Sequence, residues 1–248
     1  MHPLTILVCG NIPAGGTLQE TLSYLGSSLD RLIAKSQILR ESKDDMDIAL
    51  FGPYLGRAAL EVALTAIMGR FDPYRVLAIR KSQLSTSYEL EARNPLAFSW
   101  ANDVQGKGKG KNWDPLPGVE DMQRALLCNH FHDLFWEEAF LRMLDATQTD
   151  PGGDWMTRLR RIDPSGFTTR NRTEAATLYS ELSKAVHHEF VIPLGAQYDH
   201  ITVNDLVTRT WELIAALGLT ACYSPALRTL DAYKPIECYM KAQKELVQ

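Results

Sequence analysis

The sequence predicts an all-α protein, a bundle of about six to eight helices in a single domain spanning residues 1–248. Residues 175–192 place apolar side chains at helical spacing on one face, which is typical of an amphipathic helix. The stretches 48–71 and 119–144 are apolar on nearly all sides, as helices buried inside a bundle are. The only candidate for another structure is a short strand or extended arm at the N-terminus.

Composition narrows the class of protein. The chain is 45% hydrophobic and 23% charged, which is ordinary for a globular protein, and its formal charge of −4 argues against nucleic-acid binding by the whole surface. No apolar run reaches the length of a membrane span, and the N-terminus lacks a basic leader, so we expect a cytoplasmic protein that does not enter a membrane. The four cysteines are widely scattered without a Cys-x-x-Cys pair, which predicts free thiols and no zinc ribbon.

The first half of the chain predicts three helices after the N-terminal arm. The spacing of Thr17 and Glu20 predicts a capped helix start and a helix that runs to about Arg40. The buried helix of residues 48–71 follows, with a break or kink near its start because it contains a proline after a glycine. On this helix Arg57 and Glu61 are four residues apart, which permits an ion pair. A third helix starts after residue 73.

Two long loops carry most of the clustered basic residues. They span residues 94–118 and 146–172, and the second contains a short helix near residues 155–161. We expect the basic side chains to contact nucleic acid or a partner protein, although solvated loops with internal ion pairs fit the pattern equally well. The residues concerned are Lys107, Lys109, Lys111, Arg158, Arg160, Arg161, Arg170 and Arg172.

The buried helix of residues 119–144 carries a polar line made of His130, Asp133 and Glu137. A carboxylate inside a bundle needs a partner, so this line either faces water or meets a cation from another helix. The candidates are Arg57, Lys184 and His187. We therefore predict that Arg57, His130 and His187 meet in the interior.

His187 lies at the polar edge of the helix spanning residues 175–192, which we take as the central helix of the bundle. Three roles are open for this side chain: a core histidine held by a hydrogen bond, a catalytic group, or a metal ligand. The sequence lacks the paired Glu-x-x-His motifs of di-metal helical bundles, so we predict that the protein binds no metal and no cofactor. Two more helices are expected at residues 206–217 and 235–246.

The stretch Leu178-Tyr179-x-Glu181-Leu182-Ser183-x-x-Val186-His187 and the overall helical character resemble the HEPN superfamily of bacterial helical proteins. Many members of that superfamily are metal-independent ribonucleases with an Arg-x4–6-His signature, and Arg124 and His130 have this spacing. The resemblance implies that His130 is catalytic, that Arg124 binds phosphate, and that two copies form a homodimer. A member without activity that serves in protein interactions is the alternative.

Two functional hypotheses follow. The first is a helical accessory subunit of a bacterial multi-protein system, such as a phage-defence system, which contacts a partner protein, RNA or DNA through the basic loops. The second is a metal-independent ribonuclease that uses Arg124 and His130, in which arginine stabilises phosphate charge and histidine moves protons.

Overall fold

The computed structural model describes residues 1–10, 15–85, 98–106, 124–150, 152–187, 193, 196, 198–227 and 234–247. Within these ranges the chain forms ten α-helices, with short π and 3-10 segments between some of them. No strand occurs in the same ranges, so the all-α prediction is confirmed. None of the described helices is both long and apolar enough to cross a bilayer.

Four of these helices lie in the N-terminal half. They are α1 (Pro3–Cys9), α2 (Thr17–Ser42), α3 (Asp45–Phe71) and α4 (Pro73–Gln83). A π-helical turn at Trp100–Val104 follows. Asp44 caps α3 by accepting hydrogen bonds from two backbone N–H groups of its first turn, and Asp72 caps α4 by accepting one from Arg75 N.

The other six lie in the C-terminal half. They are α5 (Asn129–Phe131), α6 (Glu137–Ala146), α7 (Gly153–Leu159), α8 (Phe167–Val186), α9 (His200–Cys222) and α10 (Pro235–Val247). A π-helical segment, His132–Trp136, joins α5 to α6, and a 3-10 turn, Pro164–Gly166, precedes α8. The loop expected at residues 146–172 therefore contains α7, the 3-10 turn and the first turn of α8, because Gly152 and Asp163 begin new helical segments there.

The centre of the bundle is α3 and not the stretch of residues 175–192. Helix α3 packs along α9, α2 and α8, and its glycines allow the closest approach. A Cβ atom at Gly52 would lie 2.4 Å from a methyl carbon of Val203 in α9, and one at Gly56 would lie 3.3 Å from Leu182 in α8. The helix continues through Pro53, so the break that the sequence offered as an alternative to a kink is wrong.

The predicted N-terminal strand or arm is wrong, because residues 3–9 form the buried helix α1. Pro3 occupies its first turn, where a missing N–H is harmless, and His2 caps it by accepting a hydrogen bond from Leu4 N. At the other end, the buried side chain of Arg70 donates to the carbonyl oxygen of Leu7 over 2.8 Å. A short apolar run such as this one has no visible helical period, which is why the sequence did not predict the helix.

One contiguous core includes side chains from nearly all of the helices. Trp136, Trp155 and Trp211 are among its largest fully buried residues. No disulfide joins the four cysteines, all of which lie in the described ranges, and three of them are buried. This packing holds the polar sites described below between helices whose positions are fixed by the core.

Candidate functional site

Arg124 and His130, the pair with the HEPN-like spacing, line one cavity of about 310 Å³. His130 lies in α5, and Arg124 lies on the segment that precedes it. That segment is held in place because the backbone N–H groups of Leu126 and Leu127 donate to the carbonyls of Asp103 and Val104, over 2.7 and 2.9 Å. The two side chains therefore share a site, which we call the Arg124–His130 cavity.

Arg124 is not a free cation. Its Nη2 atom lies 2.6 Å from Oδ2 of Asp72, whose side chain is only 6% exposed, whereas that of Arg124 is 38% exposed. Asp72 also accepts a hydrogen bond from the N–H of Arg75, so its position is fixed by the start of α4. The ion pair leaves little net positive charge at this wall of the cavity.

The rest of the cavity is apolar. Phe71 lies 5.3 Å from Phe135 and 6.5 Å from Phe131 between ring centroids, and Phe131 and Phe135 are 5.1 Å apart. Leu134 lines the same cavity with 52% of its surface exposed. A concave apolar wall with one arginine and one histidine beside it is the usual composition of a binding pocket.

A second polar cluster forms around Arg57. This guanidinium donates to Glu61 over 3.3 Å and to the hydroxyl of Tyr179 over 3.0 Å, and it lies 2.9 Å from Nε2 of His187. The ring of Tyr179 stacks on Trp100 with 4.2 Å between centroids. Burial raises the pKa of Tyr179 above its ordinary value, so the phenol stays neutral. The contacts of Arg57 with Tyr179 and His187 join α3 to α8.

The structure brings together two of the three residues that we expected to meet. Arg57 and His187 are in contact, whereas His130 lines the other site, and no hydrogen bond or ion pair in the described ranges joins it to either of them. Tyr179 was missed, because its spacing assigns it to the apolar face of the helix. No motif in the sequence indicated that its hydroxyl would reach α3.

Asp133 and Glu137 do not form a buried carboxylate site. Asp133 is exposed and Glu137 is half-buried. Across the parts of the chain that the structure describes, no group of three or more side chains is arranged to hold a metal ion.

Two arginines of the predicted basic cluster are occupied inside the protein. Arg158 makes two hydrogen bonds of 2.7 Å to the carboxylate of Glu212. Arg160 donates to the backbone carbonyls of Thr147 and Asp150. These two side chains therefore join α7 to α9 and to the segment that follows α6.

The other basic residues differ in their surroundings. Arg172 donates to the side chain of Asn129 over 3.3 Å. Arg161 and Arg170 are exposed, and their side chains make no hydrogen bond or ion pair with any described residue. Lys107, Lys109 and Lys111 lie outside the described residues.

A comparison with models of protein families matches none of them, and comparisons with curated proteins and with solved structures also give no match. The resemblance to the HEPN superfamily therefore stays a prediction.

Proposed function

We propose that the protein is a binding subunit of a multi-protein complex and that a partner protein docks on the Arg124–His130 cavity. The observation that supports this proposal is the concave wall of three phenylalanine rings beside a half-exposed leucine. Protein interfaces obtain most of their free energy from such pockets, which accept an apolar anchor residue of the partner. A bacterial system such as phage defence is the setting that the HEPN resemblance implies, and it stays a prediction.

Exposed leucines extend the apolar surface beyond the cavity. Leu134 is 52% exposed and Leu141, seven residues further along the same helical stretch, is 49% exposed. Covering each of them stabilises a complex by about 1 kcal/mol, because roughly half of each side chain is still in contact with water. A partner that fills the cavity and continues along α6 covers both.

The charges favour a protein partner over a nucleic acid. Nucleic-acid binding depends on free cations that displace counterions from the phosphates. Arg124 is paired with Asp72, Arg158 with Glu212, and the formal charge of the chain is −4. The proposal therefore moves the partner contact from the basic loops, where we first expected it, to the apolar cavity.

Site-specific photocrosslinking tests this proposal. Benzoylphenylalanine replaces Leu134 in one variant and Leu50, which is 39% exposed on α3, in the matched control. We expect one defined crosslinked protein from position 134 in cells and none from position 50. Leu134→Glu should also abolish co-purification of that protein, whereas Leu50→Glu should not. Equal recovery of the partner with Leu134→Glu would remove the cavity from the interface.

RNA cleavage is the second candidate function, and one observation favours it: Arg124 and His130 open into the same cavity. In such a reaction His130 removes a proton from the ribose 2′-hydroxyl, whose oxygen then attacks the phosphorus while the bond from phosphorus to the 5′-oxygen breaks. Water supplies the proton to the leaving 5′-oxygen, and Arg124 stabilises the charge that develops on the phosphate. The ion pair with Asp72 opposes this role, because it neutralises the arginine before a phosphate arrives.

Cleavage assays with purified protein decide the second candidate. If the protein cleaves RNA at this site, His130→Ala abolishes cleavage of a labelled RNA. His132→Ala is the control and leaves cleavage unchanged, because Nδ1 of His132 lies 3.0 Å from Oγ1 of Thr168. An absence of cleavage by the wild-type protein, both alone and with its crosslinked partner, would exclude this function and leave the binding proposal standing.

A further inference from the structure

A second and larger cavity lies in a groove between α7, α8 and α9, and none of its lining residues belongs to the Arg124–His130 cavity. Its volume is about 830 Å³. Pockets that bind small molecules have volumes of about 300–1,000 Å³. Trp155, Leu159 and Leu213 form a buried apolar floor, and Ile162 is half-buried at its side. The groove therefore has both the size and the floor of a ligand site.

Most charges in the groove cancel one another. Arg158 pairs with Glu212 through two hydrogen bonds of 2.7 Å. Arg209 forms an ion pair with Glu174 over 2.8 Å and a second one with the exposed Asp205 over 3.4 Å. These ion pairs join neighbouring helices and form part of the wall, so they are already satisfied before any ligand arrives.

Arg170 is the exception among the cations of the groove. It lies on α8 with its side chain exposed, and no described residue offers the guanidinium a carboxylate or a hydrogen-bond acceptor. A guanidinium has five N–H donors in a planar fork that matches a carboxylate or phosphate group. Arg170 therefore presents unused donors in the same groove as the apolar floor.

Tyr239 is a second unused donor in the groove. Its side chain is fully buried and lines the cavity, and its hydroxyl has no hydrogen-bond partner within the described part of the chain. Burial raises the pKa of Tyr239 far above its ordinary value, so the hydroxyl keeps its proton. A buried donor without an acceptor is unfavourable, and an acceptor from a ligand or a water molecule relieves it.

We propose that this groove binds a small organic anion, whose acidic group pairs with Arg170 and whose apolar body lies against Ile162 and Leu213. The acidic group is a carboxylate, a sulfonate or a phosphate, since the same guanidinium fork binds all three. The inference is independent of the proposed function, because the two cavities share no residue.

The test uses 8-anilinonaphthalene-1-sulfonate and its neutral analogue N-phenyl-1-naphthylamine as probes of the full-length protein. Methyl resonances in ¹³C-labelled protein report the site: Ile162 and Leu213 for the groove, and Leu134 for the other cavity. We expect the sulfonate to shift the resonances of Ile162 and Leu213. Arg170→Gln should weaken its binding there about tenfold, which is the effect of losing one charge-assisted hydrogen bond.

Two comparisons make the assignment specific. Arg170→Gln should leave binding of the neutral analogue unchanged, and Arg161→Gln, at an exposed arginine that does not line the groove, should leave binding of both probes unchanged. Unchanged sulfonate affinity in Arg170→Gln would overturn the proposal, as would an equal loss in Arg161→Gln. Shifts confined to Leu134, or shifts in the groove produced by an acidic peptide but not by the dye, would also overturn it.

Discussion

Nη1 of Arg57 lies 2.9 Å from Nε2 of His187, and this contact joins the middle of α3 to the C-terminal end of α8. Arginine can only donate, so His187 accepts through Nε2 and carries its proton on Nδ1. The same guanidinium donates to Tyr179, which lies two helical turns earlier on α8. One side chain therefore fixes two points of α8 against the central helix.

We expect Arg57→Lys to lower the free energy of unfolding by about 1–2 kcal/mol, because lysine cannot reproduce the fork that reaches His187 and Tyr179 together. A double-mutant cycle with Tyr179→Phe, measured by urea unfolding, isolates one of the two contacts. The summed losses of the two single variants should exceed the loss in the double variant by about 0.5–1 kcal/mol. Strict additivity would show that the bond between Arg57 and Tyr179 contributes nothing.

The sequence could predict only those contacts of the Arg57 cluster that join residues close together in the chain. The pair of Arg57 and Glu61 was predictable, because a helix brings residues four apart together whatever surrounds it. The contact with His187 depends on how α3 and α8 pack against each other. A single sequence shows which residues of each helix are polar, but it does not show the angle at which the two helices cross. Helix α1 was not predicted because its apolar run is too short to show a helical period, and because the side chain that holds its C-terminal end, Arg70, comes from α3.

Gly52 permits the close contact between α3 and α9, and we expect Gly52→Ala to lower the free energy of unfolding by about 1–3 kcal/mol. The added Cβ would lie 2.4 Å from Cγ1 of Val203, so the helices must move apart or the valine must change rotamer. Val203→Ala removes that methyl group and should recover part of the loss in the double variant. Gly166→Ala is the matched control, since a Cβ atom at Gly166 would meet no neighbouring atom within 4 Å.

His2 makes the stability of α1 dependent on pH. Burial lowers its pKa below the ordinary value of 6.5, and the nearby carboxylates of Glu245 and Asp30 offset only part of this shift. Its Nδ1 atom accepts from Leu4 N and must be unprotonated to do so. The folded protein therefore binds this proton more weakly than the unfolded chain does. The stabilising contribution is complete above the ordinary pKa and is lost as the pH falls from there through the lower folded-state value.

His2→Asn tests this dependence, because the side-chain oxygen of asparagine can cap α1 but does not titrate. Urea unfolding at about pH 7.5 and about pH 5.5 should show a smaller loss of stability in His2→Asn than in the wild-type protein. Hydrogen exchange of the amides of residues 5–9 at the lower pH should be slower in the variant. Identical losses in both proteins would show that His2 does not control this transition.

The ion pair of Arg124 and Asp72 determines how any activity data on this cavity must be interpreted. We expect Arg124→Ala to lower the free energy of unfolding by about 1–2 kcal/mol, because the buried carboxylate of Asp72 loses its counter-ion. The figure is below that of a fully buried pair, since Arg124 is 38% exposed and solvent screens part of the interaction. Adding Asp72→Asn, which keeps an oxygen to cap α4, should recover part of the loss in the double variant.

That double variant separates structure from chemistry. Arg124→Ala alone can lose RNA cleavage or partner binding simply because the wall of the cavity unfolds locally around Asp72. In Asp72→Asn/Arg124→Ala both charges of the ion pair are absent, so no buried carboxylate is left without a counter-ion and the wall recovers part of its stability. Partner binding through the phenylalanine wall should then return to nearly the wild-type level in a crosslinking assay at Leu134, whereas cleavage that depends on the guanidinium should stay lost. Recovery of both, or of neither, would contradict this division of roles.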